Sequence, residues 1–286
     1  MKLRSLLFVP GDRPDQMEKA RSAHADALIL DLEDAVAAPH KADARRHVAG
    51  FLARPDRPMP VFVRLNPRVS GLIEEDIASL ASALPDGFVL PKAEGATSVR
   101  DLGDTLIRSG LPQRPILPIA TETPLAVFRL GDYVTVADRL CGLTWGAEDL
   151  PSAIGASQAR LADGSFTPPY EVARALTLFG AHAARVAALE TVYPAFRDDE
   201  GLQRYATRAA RDGFTGMLAI HPRQVPVINA AFTPAPAAVA HARRVVAAFA
   251  ANPGRGVIDL DGAMVDAPHL RLAQQILARA GESEPV

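Results

Sequence analysis

The sequence predicts an α/β protein: a (β/α)₈ TIM barrel with a C-terminal helical extension. Three observations predict it. Eight short apolar runs, beginning near residues 5, 27, 61, 87, 116, 140, 191 and 216, are each followed by helix-compatible sequence. Such strict alternation favours parallel strands joined by right-handed crossovers. The eight units fit within about 230 residues, which suits a closed barrel better than an open doubly wound sheet. No Gly-x-Gly-x-x-Gly follows the first run, which argues against a dinucleotide-binding sheet. On this reading the barrel spans residues 1–233 and the extension spans 234–286.

The first strand is expected over Ser5–Val9, stopped by the Pro10-Gly11 turn, with a polar helix from Pro14 to Ala23. Ala27–Asp31 reads as a buried parallel strand, because its apolar run does not alternate. A helix over His40–Arg54 offers Val48, Phe51 and Leu52 as an apolar stripe. Val61–Leu65 is strand-like and ends at Asn66-Pro67, and Leu72–Leu84 has helical spacing. Phe88–Leu90 ends at Pro91-Lys92, and a helix is expected over Ala96–Ser109. Ile116–Ala120 leads to Thr121-Glu122-Thr123-Pro124, a short helix to Leu130, and a strand near Leu140–Trp145.

Ser157–Thr167 is polar and Gly-containing, as a loop near a site would be. A long helix over Tyr170–Ala188 precedes a minimal strand at Thr191–Tyr193, then a helix over Glu200–Asp212. Gly216–Ile220 is the eighth strand, ending in His221-Pro222, with a helix over Gln224–Phe232. Beyond Pro234 the pattern changes to a helix over Ala237–Ala251, an apolar stretch Val257–Val265 broken at Asp259, Asp261 and Gly262, and a helix over His269–Ala280. An apolar face on such an extension must pack on its own barrel or on another subunit, so a homo-oligomer is expected.

Composition narrows the class. An apolar fraction of 48% supplies a sizeable core, and 31 basic against 33 acidic residues, both signs interspersed, leave a net charge of −2. With no basic block, a nucleic-acid partner is not expected. The single cysteine, Cys141, excludes an intrachain disulfide framework and fits a reducing, cytoplasmic compartment. The apolar run Leu6–Val9 is too short for a signal-peptide core, and no segment approaches bilayer-spanning length, so no membrane association is expected.

Polar residues at the expected strand C-termini form one set: Asp31, Glu33 and Asp34; Arg64 and Asn66; Lys92; Glu122; Glu148 and Asp149; and His221. In a barrel these ends converge on the active-site face. Carboxylates are rarely buried unpaired, so the Asp31–Asp34 group needs a metal, an Arg or a Lys, unless it only caps a helix. The set offers hard oxygen ligands, which suit Mg²⁺ or Mn²⁺ rather than Zn²⁺. Glu122 and Asp149, isolated acids on adjacent strand ends, would serve as the two ligands. A metal there could chelate a carboxylate and a neighbouring carbonyl or hydroxyl, with Arg64 stabilising an enolate oxygen. The chemistry implied is making or breaking a C–C bond next to a carbonyl. Each residue also has a plainer reading. Glu122 and Asp149 each stand at a helix start, and Arg64 has Asp31 and Glu33 as alternative ion-pair partners. Lys19 sits on a helix face, His221 precedes a proline, and Trp145 suits a core.

The runs SLLFVPGDRPDQMEKA, ALILDLEDAV, KADAR, VRLN, VLPKAE, ETPLAV, WGAEDLPSAIGA and IHPRQV, in this order, resemble the citrate lyase β-subunit-like family of the HpcH/HpaI aldolase and citrate lyase superfamily. The tail GAMVDAP resembles that of its stand-alone members, which act on coenzyme A thioesters. The resemblance implies Mg²⁺-dependent barrels that assemble as trimers or multiples of trimers, such as hexamers. It implies Glu122 and Asp149 as metal ligands, Arg64 at the substrate oxygens, and Lys19 at the CoA phosphates. Ile220 and His221 would line the CoA path, and Asp266, from a neighbouring subunit, would act as acid or base. Asp31, Glu33 and Asp34 would then bind metal waters, orient Arg64 and hold Lys92. The chain departs from some relatives in carrying Phe8 and Asp15 where they carry Tyr and Lys.

The expected function is a Mg²⁺-dependent lyase that cleaves or forms the C–C bond of a 3-hydroxyacyl-CoA such as malyl-CoA or citramalyl-CoA. The products are acetyl-CoA and an α-keto acid, and thioester hydrolysis can follow. Competing expectations are a citryl-cleaving subunit of a citrate lyase complex, a CoA-independent pyruvate aldolase, and a non-catalytic assembly protein.

Overall fold

A computed structural model describes residues 1–282 of the chain. The run Ala27–Asp31 (β2) is buried at every position, with parallel neighbours on both edges. A strand covered on both faces has no solvent side to alternate toward.

The chain opens with β1 (Ser5–Pro10), α1 (Pro14–Ala20) and β2, followed by α2 (Lys41–Leu52), β3 (Val61–Arg64) and α3 (Ile73–Ser79). Next come β4 (Gly87–Leu90), α4 (Ala96–Arg108), β5 (Ile116–Pro118), α5 (Pro124–Phe128), β6 (Gly142–Thr144) and α6 (Asp149–Ile154). The series ends with α7 (Pro168–Ala183), β7 (Ala187–Glu190), α8 (Asp199–Asp212), β8 (Gly216–Ala219) and α9 (Gln224–Ala231). The eight strands pair in the order β5-β4-β3-β2-β1-β8-β7-β6. The two ends of that order approach each other through single bridges, Ile116 to Leu140 and Ile119 to Thr144. Backbone hydrogen bonds from Cys141 to Ile116 (3.1 Å) and from Ala120 to Thr144 (2.9 Å) stitch the seam. The result is a nearly closed barrel. Leu6, Ile29, Phe62, Val89, Leu117, Leu189 and Leu218 fill its interior, each contributing roughly 1.5–3 kcal/mol by leaving water.

Three elements differ from expectation. The long helix stops at Ala183, not Ala188, and the seventh strand is Ala187–Glu190 rather than Thr191–Tyr193. Alanine favours helix, but Arg185 turns left-handed (φ 56°), and pairing with β6 and β8 claims the residues that follow. Thr191 and Val192 are thereby released to the loop. The helix expected over Leu72–Leu84 stops at Ser79. A 3₁₀ stretch kinked at Val136, Leu130–Arg139, fills the segment between the expected short helix and β6, for which the sequence predicts no element.

The chain forms two compact units, Met1–Asn229 and Ala230–Val286. In the second, α10 (Pro236–Ala251) and α11 (Ala267–Ala280) pack through Ala242, Val245, Ala273 and Leu277. The broken apolar stretch is a hairpin of β9 (Val257–Leu260) and β10 (Ala263–Asp266), so the extension is not purely helical. Its two-residue turn, Asp261-Gly262, has both φ angles positive (56° and 80°), the conformation for which Asp-Gly is strongly preferred. Among the described residues no helix is long and apolar enough to cross a membrane.

Candidate active site

The parallel register of β2 and β3 sets Asp31 beside Arg64, each the last residue of its strand. Arg64 donates from Nε to Asp31 Oδ1 (2.7 Å) and from Nη2 to Oδ2 (2.6 Å). The same carboxylate accepts the backbone N–H groups of Glu33 (2.9 Å) and Ala35 (3.0 Å). Asp31 therefore spends its lone pairs on holding Arg64 and shaping the turn after β2. The guanidinium also lies 2.9 Å from Glu33 and 4.0 Å from Asp34, over the Phe8 ring. Burial alone would lower its pKa, but the Asp31 hydrogen bonds and the surrounding carboxylates outweigh it, and the pKa is raised.

Lys92, just beyond β4, has a left-handed backbone (φ 50°), a conformation that L-residues adopt at some cost. Its backbone N–H is thereby directed to Glu122 Oε2, while Nζ donates to Glu33 Oε1 at 2.7 Å and lies 3.7 Å from Asp149. Burial opposes the ammonium charge, but the Glu33 hydrogen bond and the field of Glu33, Glu122 and Asp149 prevail and raise its pKa. Behind this loop, Lys41 Nζ donates to the carbonyls of Leu32 (2.6 Å) and Glu33 (2.8 Å) and to Asn66 Oδ1 (2.7 Å). Asn66 is held in turn by the fully buried Asp76.

Glu122 follows β5 and is 4% exposed. Burial pushes its carboxyl up to about 8; the Lys92 N–H opposes the shift, and Glu33 and the hydrogen-bonded Asp149 add to it. Asp149 opens α6 immediately after Glu148, the capping position. Gly146 makes the arrangement possible, since a Cβ there would lie 2.6 Å from Glu122 Cγ.

These residues meet at a cavity of about 290 Å³, at the small end for ligand sites, so a small group fits inside while a larger ligand must extend out. Its lining includes the apolar side chains Phe8, Ile119, Trp145, Val192, Leu218 and Ile220. It also carries five carboxyl side chains, Asp31, Asp34, Glu122, Glu148 and Asp149, against one cation, Arg64. That excess of hard oxygen donors, with a buried carboxyl resisting ionisation, fits a divalent cation. Among the described residues no three His, Cys, Asp or Glu side chains form a preformed cage. A two-carboxylate site that leaves positions to water and substrate accords with Mg²⁺.

The structure thus gathers Asp31, Glu33, Asp34, Arg64, Lys92, Glu122, Asp149 and Ile220 around one cavity or directly behind it. Lys19 stands elsewhere, exposed on α1 and 3.9 Å from Asp15. His221 does not line the cavity; its ring stacks on Phe196 (5.0 Å between centroids) and its N–H donates to Gln224. In the second unit, Asp266 caps α11: its carboxylate accepts from the His269 N–H, and the His269 ring bonds back to the Asp266 backbone. Lys41, inside the KADAR run, is not singled out by the sequence, because two of its partners are main-chain carbonyls that no spacing rule reveals. Trp145 is fully buried, as a core residue would be, and also lines the cavity.

Residues 4–222 match the family described as HpcH/HpaI aldolase/citrate lyase. The crystal structure of CitE from Mycobacterium tuberculosis in complex with magnesium, acetoacetate and coenzyme A superposes with a TM-score of 0.82. It is 36% identical in sequence and covers 98% of each chain. A (3S)-malyl-CoA thioesterase of Cereibacter sphaeroides is 33% identical over 282 residues, 97% of this chain and 94% of that protein. The mitochondrial citramalyl-CoA lyase of Mus musculus is 33% identical over 294 residues, 97% of this chain and 86% of its own length. With the match spanning the barrel and every strand end that builds the cavity, the chain belongs to the HpcH/HpaI aldolase/citrate lyase family.

Proposed function

We propose that this protein is a Mg²⁺-dependent lyase that cleaves or forms the C–C bond of a 3-hydroxyacyl-CoA of the malyl-CoA or citramalyl-CoA type, yielding acetyl-CoA and an α-keto acid. The observation that carries the reading is the convergence of Glu122, Asp149 and Arg64 on one small, half-apolar cavity. Glu122 and Asp149 would hold the metal; Mn²⁺ fits the same donors. Bound there, the ion supplies a Lewis-acid charge that polarises a carbonyl and anchors a carboxylate. Arg64, immobilised by Asp31, presents fixed positive charge where an enolate oxygen develops. Asp31, Glu33, Asp34 and Lys92 would keep that geometry. Ile119, Val192 and Leu218 keep water from the reacting carbon. Ile220, 40% exposed, lies where a thioester chain would leave, with His221 next to it. Lys19 is proposed to meet the CoA phosphates, and Asp266 of a neighbouring copy to move the proton.

A homo-oligomer, a trimer or hexamer, is part of the same reading. Val172, Leu176 and Phe179 form an exposed apolar stripe on α7, and Phe128 on α5 is 88% exposed, which suits burial between copies. A monomer in analytical ultracentrifugation overturns that part.

The test is Mg²⁺-dependent acetyl-CoA release from malyl-, citramalyl-, citryl- and hydroxymethylglutaryl-CoA, with Glu122→Ala beside wild type. Full activity in the variant sinks the metal assignment, and no turnover of any ester sinks the function. Thioester hydrolysis is the second reading, favoured by the resemblance to the malyl-CoA thioesterase. It would appear in the same assay as free CoA together with an intact hydroxy acid.

A further inference from the structure

Next to the lining residue Trp145 lies a buried carboxylate to which the proposed chemistry gives no part. Glu190 ends β7 and is fully buried. Its Oε1 accepts from Trp145 Nε1 (2.5 Å), Tyr205 Oη (2.7 Å) and the Thr191 N–H (2.9 Å). Oε2 accepts from Arg174 Nε (2.7 Å), and Arg174 donates onward to Asp212 (2.9 Å). A buried charge with this many partners is stable where it is, and costly to disturb.

Of those partners, Trp145 reaches the site. Trp145 is among the residues that line the cavity, and Phe166 packs edge-on against its ring at 4.8 Å. The residue after it, Gly146, donates its N–H to Thr121 Oγ1 (3.1 Å), which donates back to the Gly146 carbonyl (3.3 Å). Segment 145–149 is therefore moored on two sides, through Trp145 to the end of β7 and through Gly146 to the end of β5. It carries Asp149 at its far end and clears the space that Glu122 occupies.

We propose that Glu190 is a positioning residue for the site. By fixing the Trp145 indole it sets the course of segment 145–149, and with it the separation of the Asp149 and Glu122 carboxylates. The proposal rests on the reading that these two residues hold the metal. It places the control of metal affinity partly in a residue on the next strand, which itself touches neither metal nor substrate.

The experiment is a double-mutant cycle, with Mg²⁺ binding followed by calorimetry on the full-length protein. Trp145→Phe keeps a ring at that position but removes the Nε1 donor, and Glu190→Gln removes the charge that orients the indole. Each variant is expected to raise the Mg²⁺ Kd about tenfold, the usual consequence of losing a group that orients a ligand. The double variant is expected to bind no more weakly than either single one, because both act through one bond. Trp145 is the chain's single tryptophan, so its emission maximum is expected to move in Glu190→Gln. An unchanged Kd in Trp145→Phe, or additive effects in the double variant, overturns the proposal, as does a lowered Tm with Kd intact. Trp145→Phe decides alone if Glu190→Gln does not fold. Wild type that fails to bind Mg²⁺ overturns the metal reading instead, which keeps the two failures apart.

Discussion

Asp31 grips Arg64 with both carboxylate oxygens, at 2.7 and 2.6 Å. A planar fork meets a planar acceptor, and both are nearly removed from water. Arg64→Lys tests whether that geometry matters. A lysine keeps the charge but cannot span both oxygens. In the acetyl-CoA release assay kcat is expected to fall about 100-fold, the scale for losing one well-placed donor to an oxyanion, with Mg²⁺ binding retained. Wild-type kcat in the variant removes Arg64 from the chemistry.

Glu122 makes the metal-free protein pH-sensitive. Its folded pKa, about 8, stands above the ordinary 4.5. The folded state therefore holds a proton that the unfolded chain releases. The associated stability is complete below pH ~4.5 and is lost as pH rises through about 8, at no more than ~1.4 kcal/mol per unit. On the proposal that Glu122 holds Mg²⁺, the ion replaces that proton, so the Tm increase it causes is expected to grow from pH 6 to pH 8.5. Glu122→Gln is expected to flatten both trends in a thermal-shift series. A Mg²⁺ effect that does not vary with pH contradicts the assignment.

Gly146→Ala separates space from charge. The added Cβ would lie 2.6 Å from Glu122 Cγ and 3.2 Å from Ile119 Cγ2. Gly146 is not among the glycines of positive φ, so the backbone itself tolerates alanine. The expected outcome is a folded protein whose Mg²⁺ Kd rises at least about tenfold as Glu122 is displaced. Unaltered calorimetric binding excludes Glu122 as a ligand.

Why some of this could be read in the sequence and some could not has physical causes. β2 is legible because a doubly covered strand is a plain apolar run. β3 and β4 are legible because Asn66-Pro67 and Pro91-Lys92 punctuate them. β7 was misplaced because Ala181–Ala188 suits a helix locally, and only pairing with β6 and β8 decides otherwise. Glu122 and Asp149 stand out as acids just beyond successive strands, so their meeting follows from barrel topology. Lys41 and Glu190 do not stand out. Lys41 acts on main-chain carbonyls, and Glu190 ends β7, the strand whose place local sequence does not reveal. The hairpin in the second unit was announced by Asp261-Gly262 between two apolar pairs, a turn signal read only as a break.

Asp266 caps α11 and is proposed to move a proton, and substitution can separate the two roles. Its carboxylate caps α11, and its hydrogen bond with His269 lowers its pKa, so at neutral pH it is ionised and ready to accept a proton rather than donate one. Asparagine is as good an N-cap as aspartate, whereas alanine is a poor one. Asp266→Asn is therefore expected to keep the wild-type Tm, and Asp266→Ala to lower it. If the carboxylate takes the α-proton of acetyl-CoA in the bond-forming direction, and in cleavage returns to the enolate the proton it has taken up, both variants lose turnover alike, because neither holds an ionisable group. If only the cap matters, activity follows Tm, and Asp266→Asn works as well as wild type. Measuring kcat and Tm on the pair decides between a group that reacts and a group that only ends a helix.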